Sequence, residues 1–284
     1  MHLTAPASFA VTRIHMRIVV LWVTLVACGS VAGNHPDAAP DSAPSDASTD
    51  GPTCAANPPG LAGRWRGEMN TTDDTAAHNG TPIGNNLGYA PGQHGLAFLL
   101  DGSTNVVSIN DADTLWPAAS FSLEAWVKTT SSGNVLSKYQ CGGKCPSSSN
   151  AYWALSVSAA GAASFSLRTD AAQTIASVTD TLHNVHDGQW HHLVGVRDLP
   201  AATMTLYVDG ALAVSANLPA DQLGAMTNTD GETDPVVIGG SQTAGALSYE
   251  SFLKGAIDEV SYYASALTAT QASAIYRAPD GECH

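Results

Sequence analysis

The chain has 284 residues, only 13% of them charged, with 25 Asp and Glu against 11 Lys and Arg for a formal net charge of −14. A surface of that sign repels phosphate backbones and anionic headgroups, which excludes a nucleic-acid partner and leaves calcium or neutral glycans compatible. The length allows one all-β domain without a split, and 26 glycines suit many strands and turns.

At the N-terminus, Arg13, His15 and Arg17 precede an apolar run from Ile18 to Ala27. Such a run is too short to cross a hydrocarbon core of ~30 Å. A basic flank, a short apolar stretch and a small residue describe a secretory signal, predicted here over residues 1–27. The run closes in Leu25-Val26-Ala27-Cys28-Gly29. That sequence resembles the lipobox of bacterial lipoproteins and implies lipidation of Cys28; an ordinary signal with an incidental cysteine is the alternative. Cleavage would remove two bases and no acid, leaving nine against 25, a net −16. Residues 28–53 read as a lipid-anchored, disordered tether. They carry Pro36, Pro40, Pro44 and Pro52 among Ala, Ser and Asp, with no Lys or Arg, and such a segment cannot offset the entropy of ordering. As a flexible coil it would reach roughly 25–30 Å.

From residue 54 to 284 the pattern is that of one all-β domain. The candidate strands, in order, are Ala97–Leu100, Asn105–Ile109, Phe121–Lys128, Asn134–Lys138, Tyr152–Ser158 and Ser164–Arg168. Trp190–Arg197, Met204–Val208, Ala211–Ser215, Val236–Gly239 and Ala256–Tyr263 follow. Phe121–Lys128 is the clearest: Phe121, Leu123, Ala125 and Val127 share one face, and Ser122, Glu124, Trp126 and Lys128 the other. Asp209-Gly210 between two strand-like runs is a hairpin signal. Thr268-Ala-Thr-Gln271 fits a capping box that starts one short C-terminal helix. Many short strands and no long helices argue for an antiparallel sandwich.

Five cysteines bear on the same question. With Cys28 assigned to lipid, the other four allow three pairings. Cys141 and Cys145 enclose a small loop, and Cys54 and Cys283 then bracket the globular part. Zinc is the rival, but paired Cys-x-x-Cys knuckles are missing and the segment is predicted to be exported, so disulfides are favoured.

Further blocks carry a family resemblance. They are Cys54 to Leu61, Trp65, Gly67-Glu68, Asn79-Gly80-Thr81, Pro91-Gly92, Asp101-Gly102 and Phe121–Lys128. Asp187-Gly-Gln-Trp-His-His192, Leu206-Tyr-Val-Asp-Gly210, Ile257-Asp-Glu-Val260 and Gly281-Glu-Cys283 complete the set. In order and content they resemble the laminin-G-like, concanavalin-A-like jelly-roll family of bacterial surface proteins. The resemblance implies a two-sheet antiparallel jelly-roll sandwich whose neighbouring termini favour a Cys54–Cys283 bridge. Two departures stand out: Gly67-Glu68-Met69-Asn70 replaces Gly-Asp-Gly-Asn, and Ser265-Ala-Leu-Thr268 replaces Arg-Ala-Leu-Ser. The first of these weakens any ion site carried over to that strand.

For chemistry, the Glu-x-Asp-x-Glu triplet of glucanase relatives is missing. Asp258 and Glu259, adjacent on a strand, are expected on opposite faces, so no catalytic residues are assigned and the chain is not read as an enzyme. His183, His186, His191 and His192 are taken as packing or capping residues rather than zinc ligands. Calcium is the better ion, with Asp258, Glu68 and Asp101 as candidate ligands. Trp126, Tyr152 and Trp153, with Lys144 on the Cys141–Cys145 loop, are candidate ligand-binding residues. The expected role is a surface-tethered binding or adhesion module of the cell envelope, for an extracellular glycan or protein, with membrane contact through the lipid only. A structural envelope component and a remote glycoside hydrolase are the alternatives.

Overall fold

Period-two alternation builds two facing sheets. The computed structural model describes residues 54–85, 87–139, 151–172, 174–227, 233–243 and 248–283. The signal and tether of residues 1–53, Cys28 among them, and the Cys141–Cys145 loop with Lys144 lie outside those residues. The larger, eight-stranded sheet runs β13 (Ala211–Asn217), β12 (Thr203–Val208), β11 (Trp190–Asp198), β6 (Phe121–Thr129), β17 (Lys254–Tyr263), β4 (Leu96–Asp101) and β3 (Gly88–Pro91), and β1 (Leu61–Trp65) also pairs with β17. The seven-stranded sheet runs β10 (Ala176–Thr179), β9 (Ala163–Arg168), β8 (Tyr152–Val157), β7 (Gly133–Tyr139), β14 (Val236–Ile238), β5 (Val106–Ile109) and β2 (Gly80–Ile83). A short ribbon pairs β15 (Ser241–Gln242) with β16 (Tyr249–Glu250). Neighbouring strands are antiparallel, and the centre of each sheet pairs strands distant in sequence, as in a jelly roll.

Each predicted strand appears, with ends shifted by a residue or two. β2, β3, β10, β15 and β16 are not among the candidate strands; each has only two to four residues, too few to show a period. The Asp209-Gly210 turn has φ of 51° and 71°, the double positive φ of a type I′ hairpin.

The inward face of β6 makes the core as expected. Phe121 lies 6.3 Å from Trp153, 5.8 Å from Phe165 and 6.1 Å from Tyr262 between ring centroids, and Trp153 stacks on Tyr262 at 5.7 Å. Gly195 sits where a Cβ would come within 2.5 Å of the Phe165 ring, so only glycine lets β11 approach this cluster.

The outward face of β6 departs from the simple alternation: Ser122, Glu124 and Trp126 are buried and only Lys128 is exposed. Two coverings explain it. Helix α1 (Ala269–Arg277) sets Ala272 and Ile275 against Val194, Val196, Tyr207 and Tyr263 of the larger sheet. The C-terminal tail then crosses to the start of the domain, where Ala55 bridges Glu282 and Cys54 is bonded to Cys283. The capping box is formed: Thr268 Oγ1 accepts from the Gln271 backbone N–H at 3.2 Å, and Gln271 Oε1 accepts from the Thr268 N–H at 2.8 Å. Thr268→Ala is expected to cost about 1 kcal/mol in urea unfolding; an unchanged midpoint would mean that the cap does not hold the helix.

Candidate functional site

A β-bulge sets up the most polar region of the fold. The pairing of β17 with β6 shifts register between Asp258 and Ser261, and Glu259 takes a φ of 49°. The extra residue leaves Val260 in the core while Asp258 stands opposite Trp126 and Ser261 opposite Glu124. Strict alternation would have parted Asp258 from Glu259. The bulge corrects that expectation, because Glu259 joins the side on which Asp258 lies. Bulges of this kind re-aim side chains beside functional sites.

Glu259 lines a pocket of about 320 Å³ with Arg66, Glu68, Gln93, His94 and Asp280. Two glycines let the turn between β3 and β4 close on the acids. A Cβ at Gly92 would fall 2.4 Å from Asp258 Oδ2, and one at Gly95 only 2.0 Å from Glu68 Oε1. Glu68 Oε1 accepts from the Leu96 N–H at 2.9 Å, and Asp258 Oδ2 from the His94 N–H at 2.9 Å. Behind His94 lies a buried polar floor. Its ring meets Trp126 edge-on at 5.9 Å, Trp126 contacts His192 at 5.0 Å and stacks on Tyr276 at 5.5 Å, and His192 Nε2 lies 3.1 Å from Glu124 Oε1.

Five buried polar atoms here have no hydrogen-bond partner among the described residues: Glu124 Oε2, Trp126 Nε1, His192 Nδ1, His94 Nε2 and Glu259 Oε2. Natively buried polar atoms are nearly always satisfied, so five orphans in one cluster call for a cause. Together they form a mixed set of hydrogen-bond donors and acceptors.

Burial also governs the charge state. It pushes the Asp258 carboxyl up to about 7 against the pull of three backbone N–H bonds. It raises Glu259 to about 9, with Asp258 and Glu124 adding like-charge repulsion. His94 is lowered, first by burial. Folded Asp258 and Glu259 therefore keep protons that the unfolded chain releases near pH 4, so stability falls as pH rises from about 4 to about 9. The melting temperature is expected to be higher at pH 5 than at pH 9, and Glu259→Gln to flatten the alkaline part of the decline. Equal melting temperatures would contradict this.

The residues singled out by sequence fall in several places. Of the calcium set, Glu68 lines the pocket and Asp258 is buried beside it, accepting from the His94 N–H, but Asp101 lies elsewhere. Asp101 pairs across from Lys254, and its carboxylate accepts the Thr104 hydroxyl at 2.6 Å and the Thr104 and Ser103 N–H groups of its own turn at 2.8 Å, which together hold it well below the usual range. Both Asp258 oxygens are engaged by backbone N–H groups. Among the described residues no three His, Cys, Asp or Glu side chains are grouped to hold a metal ion, and the three acids are not brought together. The ligand-binding set is split as well. Trp153 is fully buried in the core, and Trp126 is buried under Tyr276 rather than presented to solvent. Tyr152 sits on the other sheet, edge-on to Tyr139 at 5.9 Å, its hydroxyl pushed up to about 12 by burial. His191 and His192 diverge as expected: His191 Nδ1 lies 2.9 Å from Asp209, whose hydrogen bond raises it, while His192 faces Glu124.

Of the pocket residues, Arg66, Gln93, His94 and Asp280 carry no expectation from sequence, and Glu259 enters only as the diverging neighbour of Asp258.

Comparison with known proteins places this geometry in context. The binding domain of Paraclostridial Mosquitocidal Protein 1 superposes with a TM-score of 0.56 at 12% identity, over 76% of this chain and 52% of that one. A binding domain of botulinum neurotoxin DC in complex with SialylT gives 0.55 at 11%, over 78% and 52%. Domain 4 of AbnA, an extracellular arabinanase from Geobacillus stearothermophilus in complex with arabinotriose, gives 0.53 at 23%, over 75% of this chain and 97% of that one. The chain thus spans about half the length of the toxin domains. No protein of curated function matches the sequence. The Laminin_G_3 profile, described as concanavalin A-like lectin/glucanases superfamily, matches residues 101–273. With that match over more than half its length and two antiparallel sheets closing around one core, the chain belongs to the concanavalin A-like lectin/glucanase superfamily.

Proposed function

We propose that the domain is a glycan-binding module that seats a sugar unit in the pocket of Glu259 and His94. The observation that carries this reading is the cluster of buried, unpaired donors and acceptors behind an opening of about 320 Å³. A sugar hydroxyl both donates and accepts, so a few hydroxyls can serve carboxyl oxygens, an imidazole nitrogen and a guanidinium at once. Pockets of this volume suit small ligands. Support also comes from fold relatives whose structures hold arabinotriose and SialylT. Fold alone does not assign a ligand, which is why the orphaned atoms carry the weight.

In the same proposal the module binds without cleaving. It is exported on residues 1–27 and held at the cell envelope by a lipid on Cys28 and the spacer of residues 28–53. Both Asp258 oxygens are occupied by backbone donors, so no free carboxylate from that residue is left to attack a bound sugar.

A glycan array tests the reading. Saturable binding is expected, with affinity at least ~10-fold lower for Glu259→Gln, equivalent to about 1.4 kcal/mol. An array without binding, full affinity in the variant, or hydrolysis of the bound sugar would overturn it.

A further inference from the structure

The chain has four lysines, Lys128, Lys138, Lys144 and Lys254. Lys138 is buried, 2.5 Å from Asp111, and spans the Trp116 ring at 4.2 Å. Lys128 and Lys254 are both exposed, and both line one pocket of about 320 Å³. The other cations nearest the polar site are engaged: Arg64 with Glu282, Arg66 with Asp74. Neither Lys128 nor Lys254 forms an ion pair among the described residues.

The sheet register explains how the two meet. Lys128 on β6 stands opposite Ala256 of β17 and Trp190 of β11, and Lys254 lies two residues before Ala256 on the same outward face. Leu99 of β4, opposite Ala256 and 44% exposed, supplies an apolar wall, and Thr130 and Gly188 close one end. Asp101 pairs across from Lys254, but its carboxylate is turned into the Ser103–Asn105 turn. Half-buried Trp190 extends the apolar surface beside Lys128.

We propose that this pocket is a second binding site, for a carboxylated sugar. Two unpaired ammonium groups give the carboxylate charge-assisted donors. The apolar wall matches the C–H face of a sugar ring, and Thr130 can serve a hydroxyl. A chain of net charge −14 repels polyanions at long range, so a ligand bearing one carboxylate per unit fits better than a heavily charged polymer. Four strand residues, about 13 Å, separate Lys254 from Asp258, so the two sites are independent.

Isothermal titration with a glucuronate-bearing and a sialate-bearing oligosaccharide, each beside its carboxyl-reduced form, tests this. Binding is expected for a carboxylated probe and not for its reduced form, weakening with added salt. Lys128→Gln/Lys254→Gln should lower affinity at least ~10-fold with an unchanged melting temperature, while Arg277→Gln, a cation outside the pocket, should leave affinity unchanged. Response to one carboxylated probe alone supports the site and identifies the source of the acid. Equal binding of reduced and carboxylated probes, full affinity in the double variant, or no binding of either acid would overturn it.

Discussion

Replacing Arg64 with methionine is expected to destabilise the domain by about 3–5 kcal/mol, because it removes one partner of a buried ion pair and leaves the other in place. Arg64 is fully buried. Its guanidinium lies 2.5 Å from Glu282 Oε2, donates to Asn57 Oδ1 at 3.1 Å and to the Cys283 carbonyl at 3.4 Å, and reaches Ser261 Oγ at 3.4 Å. The Tyr263 hydroxyl donates to the same Glu282. One side chain thus ties β1, β17 and the C-terminal tail beneath the cluster of acids. Without it Glu282 would have to be buried uncompensated or take up a proton, and Glu124 and Glu259 would lose a screening charge. Urea unfolding should show a lowered midpoint with little change in slope. Arg64→Met/Glu282→Leu should recover part of the loss, since an apolar pair leaves no unpaired charge. A single-variant loss below about 1 kcal/mol would show that the ion pair does not hold the tail.

The second large effect concerns Cys54–Cys283, which joins residues 229 apart in sequence with Cα atoms 5.0 Å apart. In the chain-entropy picture such a closure contributes at most ~5 kcal/mol, and native disulfides typically give about 2–5 kcal/mol. Cys54→Ser/Cys283→Ser should lose stability in that range. It should also release the tail first, since the tail is otherwise held by the Ala55–Glu282 bridge and the Arg64 contacts. Hydrogen exchange would then rise in residues 278–283 and α1 before it rises in β6 or β11. Uniform protection in the variant would contradict that order.

How much of this was legible in the sequence follows from which interactions are local. The strand over Phe121–Lys128 with its inward face, the Asp209-Gly210 turn and the Thr268–Gln271 cap rest on neighbours within a few residues, and all three form. Trp126 is a candidate ligand surface by sequence, with core packing the other reading, and its own strand places it outward. What covers it is Tyr276, 150 residues later, and no local pattern carries that. Trp153 shows the opposite limit: an aromatic residue at an inward position of β8 is core, and packing against Tyr262 rather than ligand contact fixes it. The site itself was hidden by one residue of backbone. Asp258-Glu259 reads as a diverging pair until the bulge at Glu259 breaks the period, and a single positive φ at a non-glycine residue leaves no mark in composition or spacing.

The most direct test is an NMR titration of the isotope-labelled chain with the strongest glycan from the array. The expected result is that the Trp126 indole N–H and the His94 and Gly95 amides move first and saturate together, because His94 and Gly95 line the pocket and the unpaired Trp126 N–H belongs to the ring packed against His94. Shifts confined to the Tyr139–Tyr152 edge of the other sheet, with the Trp126 indole unmoved, would place recognition elsewhere and contradict a sugar seat at the bulge.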